Sequence, residues 1–98
     1  MDHFINTLRE ALACAEAESE KIGSGCFSKW NQEQLENVVR PEISELLSFA
    51  LKGEVLFKNG KKQRMLESTY LVLDSLSALD KTPLGIKILE LQKLFNSF

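Results

Sequence analysis

The sequence predicts an all-α domain, and three observations carry that prediction. Apolar residues recur at helical spacing in every long segment. Two stretches, "WNQEQL" and "DKTPLG", have the residue order of a helix start after a loop. The segment that reads most like a strand, "STYLVL", breaks the two-residue alternation of a half-buried strand at Leu71, Val72 and Leu73. With 98 residues, 44% of them hydrophobic, residues 1–98 make a single helical domain that can close one core without a metal or disulfide staple.

The first helix spans residues 2–22. Phe4, Leu8, Ala11, Ala15 and Ile22 share one face, flanked by Ile5 and Leu12, and Gly23 provides the exit. The second half of this stripe is mostly alanine, which lets another backbone approach closely. "GSGCFSKWN" is a loop. Asn31 then caps the second helical segment, residues 32–52, with Gln34 completing a capping box and Trp30 placed to staple onto Leu35. Leu35, Val39, Ile43, Leu46 and Ala50 keep one register across Pro41, where a missing donor and a ring clash predict a kink or restart. Gly53 closes the segment.

"EVLFKNGKKQR" reads as an irregular loop with one helical turn at 54–57. Asn59-Gly60 has the look of a hairpin turn, but the polar residues after it leave a second strand nothing to bury. Lys58, Lys61, Lys62 and Arg64 make a basic patch without an interleaved aromatic platform, which reads as a solubilising loop rather than a nucleic-acid site. Residues 64–79 continue a helical period too long for a typical strand. Met65, Leu66, Tyr70, Val72, Leu73, Leu76 and Leu79 fill one arc, and Ser68, Leu71, Ser75 and Ala78 fill another, so this helix is expected at the centre of the bundle. Thr82 caps the last helix, 83–97, with Pro83 at its first position. Leu84, Ile88, Leu91, Phe95 and Phe98 form its core stripe. Ile86 and Leu89 lie opposite, to meet a second helix or a partner. The expected architecture is therefore four main helices, with the second kinked at Pro41.

Catalysis finds little support. Asp74 and Ser75 are adjacent in a helix and do not face each other, and the one histidine, His3, is at the frayed N-terminus. Asp74 is read as a structural hydrogen bond or a partner contact. Glu42 falls on the apolar side of its helix. It is read as a carboxylate near a helix N-terminus, because no second acid or histidine is spaced to make it a general acid or base. No phosphate-binding glycine loop, metal-ligand cluster or calcium loop is present, so no cofactor or metal is expected. Cys14 and Cys26 have neither metal nor redox spacing and are expected as thiols. The N-terminal stretch lacks a signal peptide's basic and apolar regions, and no apolar run is long enough to span a membrane, which points to the cytoplasm.

Charge is unevenly placed. Residues 1–54 carry ten acids and five bases, and residues 55–98 carry seven bases and four acids. An acidic half disfavours phosphate backbones and suits a basic partner, although a solvated acidic face is the plainer reading.

The C-terminal stretch "RMLESTYLVLDSLSALDKTPLGIKILELQKLFN" holds the pattern L-x-S-T-Y, D-S-L, L-x-x-T-x-L-G and L-Q between Leu66 and Gln92. In this third of the chain it resembles small cytoplasmic bacterial proteins of toxin–immunity loci, including immunity proteins of contact-dependent growth inhibition systems. The resemblance implies a neutraliser that binds one cognate toxin domain, in many cases a nuclease, and blocks its active surface. It implies no catalytic site. The contact surface expected on this reading is Glu33, Glu36, Glu42 and Glu45 of the second segment with Glu16 and Glu20 of the first. The alternative is a helical homodimeric regulatory or adaptor protein that associates through Ile86 and Leu89, again without catalytic activity.

Overall fold

The computed structural model describes residues 2–53, 65–74 and 78–97. All regular structure among them is helical: α1 (Asp2–Gly23), α2 (Gln32–Gln34) running through a π-helical turn (Leu35–Val39) into α3 (Arg40–Leu51), α4 (Glu67–Asp74), a 3-10 turn (Leu79–Lys81) and α5 (Pro83–Asn96). Counting 32–51 as one segment, these are the four main helices of an all-α fold.

The centre belongs to α1, which packs against both α3 and α5. Its alanine stripe explains this. Ala11 and Ala15 are fully buried beside Leu8, and with so little side chain on that face two neighbouring helices can approach the α1 backbone. The helix ends at Gly23 as expected, but the left-handed residue of the exit is Gly25, and the Cys26 N–H reaches back to the Lys21 carbonyl at 2.7 Å.

The capping box at the second segment is formed in both directions. Gln34 N–H donates to Asn31 Oδ1 at 2.7 Å, and Asn31 N–H donates to Gln34 Oε1 at 3.0 Å. At Pro41 the chain stays right-handed helical. The wider π turn just before it, with Arg40 N–H bonded to the Leu35 carbonyl, stands where the sequence suggested a kink or restart. The π turn also accounts for the register. Leu35, Val39 and Ile43 step by four residues, which drifts on a 3.6-residue helix, yet all three are buried with Leu46 and Ala50 because the wider turn takes up the drift. Gly53, at φ 72°, closes the segment.

The expectation for residues 64–79 is corrected. Among the described residues the regular α-helix is Glu67–Asp74, Met65 and Leu66 lie before it, and Ala78 has left-handed backbone angles (φ 56°, ψ 45°) that no right-handed helix continues through. Nor is this helix central or buried along the expected arc. Leu66, Val72 and Leu79 are in the core, but Met65, Tyr70 and Leu73 are exposed, while Ser68 and Thr69 are buried. The rotation is set by polar contacts at the start of the helix. Gln92 Oε1 of α5 accepts from the Leu66 N–H (2.8 Å) and the Thr69 hydroxyl (2.9 Å), turning Ser68 and Thr69 inward and Tyr70 outward. The expected turn at 54–57, the Asn59-Gly60 pair, the basic patch at Lys58, Lys61, Lys62 and Arg64, and Ser75, Leu76 and Phe98 lie outside the described residues.

In α5, Leu84, Ile88, Leu91 and Phe95 are buried as the stripe predicts. Thr82 Oγ1 accepts from Gly85 N–H at 3.0 Å, donates to the Leu79 carbonyl at 2.6 Å and accepts from Trp30 Nε1 at 3.1 Å. One hydroxyl therefore caps α5, closes the 3-10 turn and anchors the tryptophan.

Candidate functional site

The six carboxylates expected at a partner surface sit in different surroundings. Glu16, Glu20, Glu33, Glu36 and Glu45 are exposed, and Glu42 is half-buried. The contact of α1 with the second helical segment brings Glu16 and Glu20 beside Arg40 in one open depression, where Ser19 also lies; Glu36 shares Arg40 in the next, with Pro41 and Ser44. Ser19 donates to Gln32 Oε1 at 2.9 Å and ties α1 to the start of the second segment. Glu45 lies beyond Pro41, in a depression shared with Glu42 and Glu67. Glu16, Glu20 and Glu36 thus line depressions shared with half-buried Arg40, Glu45 extends the acidic face across Pro41, and Glu33 lines none of these depressions.

Glu42 already has a structural task. Its carboxylate accepts from the backbone N–H groups of Glu67 (2.9 Å) and Ser68 (2.8 Å), the first turn of α4. It lies in the first turn of its own helix, as the sequence placed it, but its carboxylate is bonded at the N-terminus of another, where the orphan donors and the helix dipole favour a negative charge. The Ser68 hydroxyl beside it is buried and has no hydrogen-bond partner among the described residues.

Three polar features were not singled out from the sequence. Glu18 is the buried acid of α1, accepting from the Ser28 hydroxyl at 2.6 Å and from Lys21 Nζ at 3.4 Å; Ser28 Oγ in turn accepts from Trp30 N–H at 3.1 Å. This chain of bonds pins the loop before Trp30 to α1. Lys87 of α5 donates to Glu10 of α1 at 2.9 Å, and that hydrogen bond holds its ammonium pKa above the ordinary lysine value. His3 Nε2 lies 3.3 Å from Glu90. Burial pushes the Cys14 thiol pKa up, while Cys26 is exposed, and both are free cysteines.

Ile86 and Leu89 are not equivalent. Ile86 is 54% exposed, whereas Leu89 is half-buried and packed against the core, so the expected patch reduces to Ile86. Asp74 is exposed, in a depression with Gln34, Tyr70 and Leu71. Among the described residues no group of His, Cys, Asp and Glu is placed to hold a metal ion, and no helix is long and apolar enough to cross a membrane. No family model, curated protein or solved structure matches this chain.

Proposed function

We propose that this chain is an immunity protein that binds a cognate bacterial toxin domain in the cytoplasm and occludes its active surface, with no catalysis of its own. The observation that carries the reading is the exposed acidic face on α1 and the second segment, with Glu16, Glu20 and Glu36 around Arg40 and Glu45 beyond Pro41. A nuclease is the toxin class this face suits. An enzyme that holds phosphates needs a basic surface, and carboxylates on a rigid helical scaffold imitate those phosphates and speed encounter. The resemblance of the Leu66–Gln92 stretch to immunity proteins supports the same reading.

The test is a growth assay. The C-terminal domain encoded by the reading frame immediately upstream is expressed under tight control in a bacterium, with and without this protein. Growth arrest rescued by this protein is the expected result. A harmless domain, or one that kills regardless, overturns the reading.

Exposed Ile86 favours a second reading, a helical homodimer or adaptor. Light scattering at micromolar concentration separates the two, since a monomer of 11.1 kDa leaves no self-association for Ile86 to mediate.

A further inference from the structure

We infer that the cleft between the second helical segment and α4 is a docking groove for a cationic amphipathic helix of a partner protein. Two neighbouring depressions share the same two walls. In one, Gln34 faces Tyr70, Leu71 and Asp74; in the next, Val38 and Glu45 face Glu67. On α4, Glu67, Tyr70 or Leu71, and Asp74 fall at i, i+3 or i+4, and i+7, a single stripe. On the opposite wall Gln34, Val38, Pro41 and Glu45 make the matching stripe. Gln34 lies at the Asp74 end and Glu45 at the Glu67 end, so the walls run antiparallel.

The chemistry of the walls selects the occupant. The middle is apolar: Tyr70, 53% exposed, and half-buried Leu71 lie on the α4 wall, and half-buried Val38 lies on the facing one. The ends are acidic, with Asp74 at one and Glu67 and Glu45 at the other, and no Lys or Arg lines either depression among the described residues. An apolar stripe on the partner fills the middle, and Lys or Arg beside that stripe pairs with the ends. Nucleic acid and anionic membranes are repelled by the same carboxylates. A second copy, paired about a two-fold axis, sets like charge against like. The exposed aromatic in a concave seat is the anchor, and the acidic ends orient it.

The proposed toxin-neutralising function supplies only the partner's identity; the groove's chemistry stands apart from it. The probe is a synthetic amphipathic helix of leucine and lysine, titrated into the isotope-labelled full chain and followed by amide chemical shifts. Shifts concentrated at residues 34–45 and 67–74 are expected, with none from the same peptide carrying glutamate for lysine. Tyr70→Ala weakens binding about tenfold or more at any salt, as loss of an anchor does. Asp74→Asn with Glu67→Gln weakens it at low salt and far less at high salt. Shifts spread over the surface or centred on Glu16 and Glu20, an indifferent Tyr70→Ala variant, or concentration-dependent shifts of these amides without peptide (a second copy in the groove) each overturn the proposal. The growth assay separates the two ideas. Rescue without groove shifts removes the groove alone, and groove shifts without rescue remove the toxin reading alone.

Discussion

Glu42 Oε1 accepts a 2.8 Å hydrogen bond from the backbone N–H of Ser68, 26 residues along the chain, while its other oxygen accepts from Glu67 N–H. A side chain of α3 thereby caps α4, whose preceding residue, Leu66, has no side-chain acceptor of its own. Glu42→Ala leaves both donors without the carboxylate and costs about 1–2 kcal/mol, the range of a lost cap. Glu42→Gln keeps one carbonyl oxygen and costs less. Urea unfolding midpoints give the order, and faster amide exchange at Ser68 locates the effect. Equal stability of Glu42→Ala and the parent sinks the assignment. The same variant is a poor probe of partner contact, because it loosens a wall of the groove.

Gly85 provides a test in which propensity and packing disagree in sign. It lies in the first turn of α5, and a Cβ there would overlap the Leu79 carbonyl oxygen and sit 2.7 Å from its carbon. Helix propensity predicts that Gly85→Ala stabilises by about 1 kcal/mol. The Leu79 carbonyl also accepts from the Thr82 hydroxyl and N–H, so the backbone has little freedom to retreat. The expected outcome is a loss of about 1–3 kcal/mol, read as a lower melting temperature. A higher one refutes the close approach.

Local signals in this sequence were legible, and one global placement was not. The capping box at Asn31 and Gln34, the Thr82-Pro83 start, and the buried stripes of α1, the second segment and α5 follow from residue spacing alone. Residues 64–79 misled because two nearly opposite arcs were both plausible core faces. The choice between them came from Glu42 and Gln92, polar partners 25 and 26 residues distant in sequence, and helical period carries no information about such contacts. Of the candidate site, the exposure of Glu16, Glu20, Glu36 and Glu45 was readable. The burial of Glu18 was not, since charge is ordinarily a sign of the surface and Glu18 is held inside by Ser28 and Lys21.

Trp30 and Thr82 form a long-range pair that a double-mutant cycle can isolate. Trp30→Phe keeps most of the ring and removes the Nε1 donor, costing about 1 kcal/mol for the bond and a little more for volume. Thr82→Val is nearly isosteric but strips the acceptor from both Trp30 Nε1 and Gly85 N–H, and costs about 2–3 kcal/mol. The coupling between the two substitutions is expected near 1 kcal/mol. Additive costs would mean that the indole bond contributes nothing to stability.

Cys14 predicts a pH dependence with a definite sign. Burial raises its pKa above the ordinary 9.0, so the folded chain holds the thiol proton more tightly than the unfolded chain does. That contribution is fully present below 9.0 and is lost as pH rises through the folded value, because the unfolded chain releases its proton first. Denaturation midpoints should therefore fall as the buffer is taken above pH 9.0, and part of that fall should disappear in Cys14→Ala. In a thiol-labelling time course at neutral pH, exposed Cys26 reacts first and Cys14 lags, accelerating as pH rises. Equal rates at both cysteines would contradict the burial of Cys14.

Charge reversal tests the acidic face itself. Glu16, Glu20, Glu36 and Glu45 are exposed and accept no hydrogen bond among those described above, so replacing each by Lys leaves the core and the Glu42 cap in place. Against the toxin domain proposed as its partner, the fourfold variant should associate more slowly by about tenfold or more at low salt, and the gap should narrow as the Debye length shrinks to about 3 Å near 1 M salt. Dissociation rates should move less, since exposed charges steer encounter more than they hold the complex. Glu45 also lines the acidic end of the groove, so the separation uses the threefold variant of Glu16, Glu20 and Glu36, which leaves Glu45, Glu67, Tyr70 and Asp74 untouched. A variant that keeps its dissociation rate while losing association rate therefore separates steering by the α1 face from anchoring in the α4 groove, whereas unchanged association at low salt removes the acidic face from recognition.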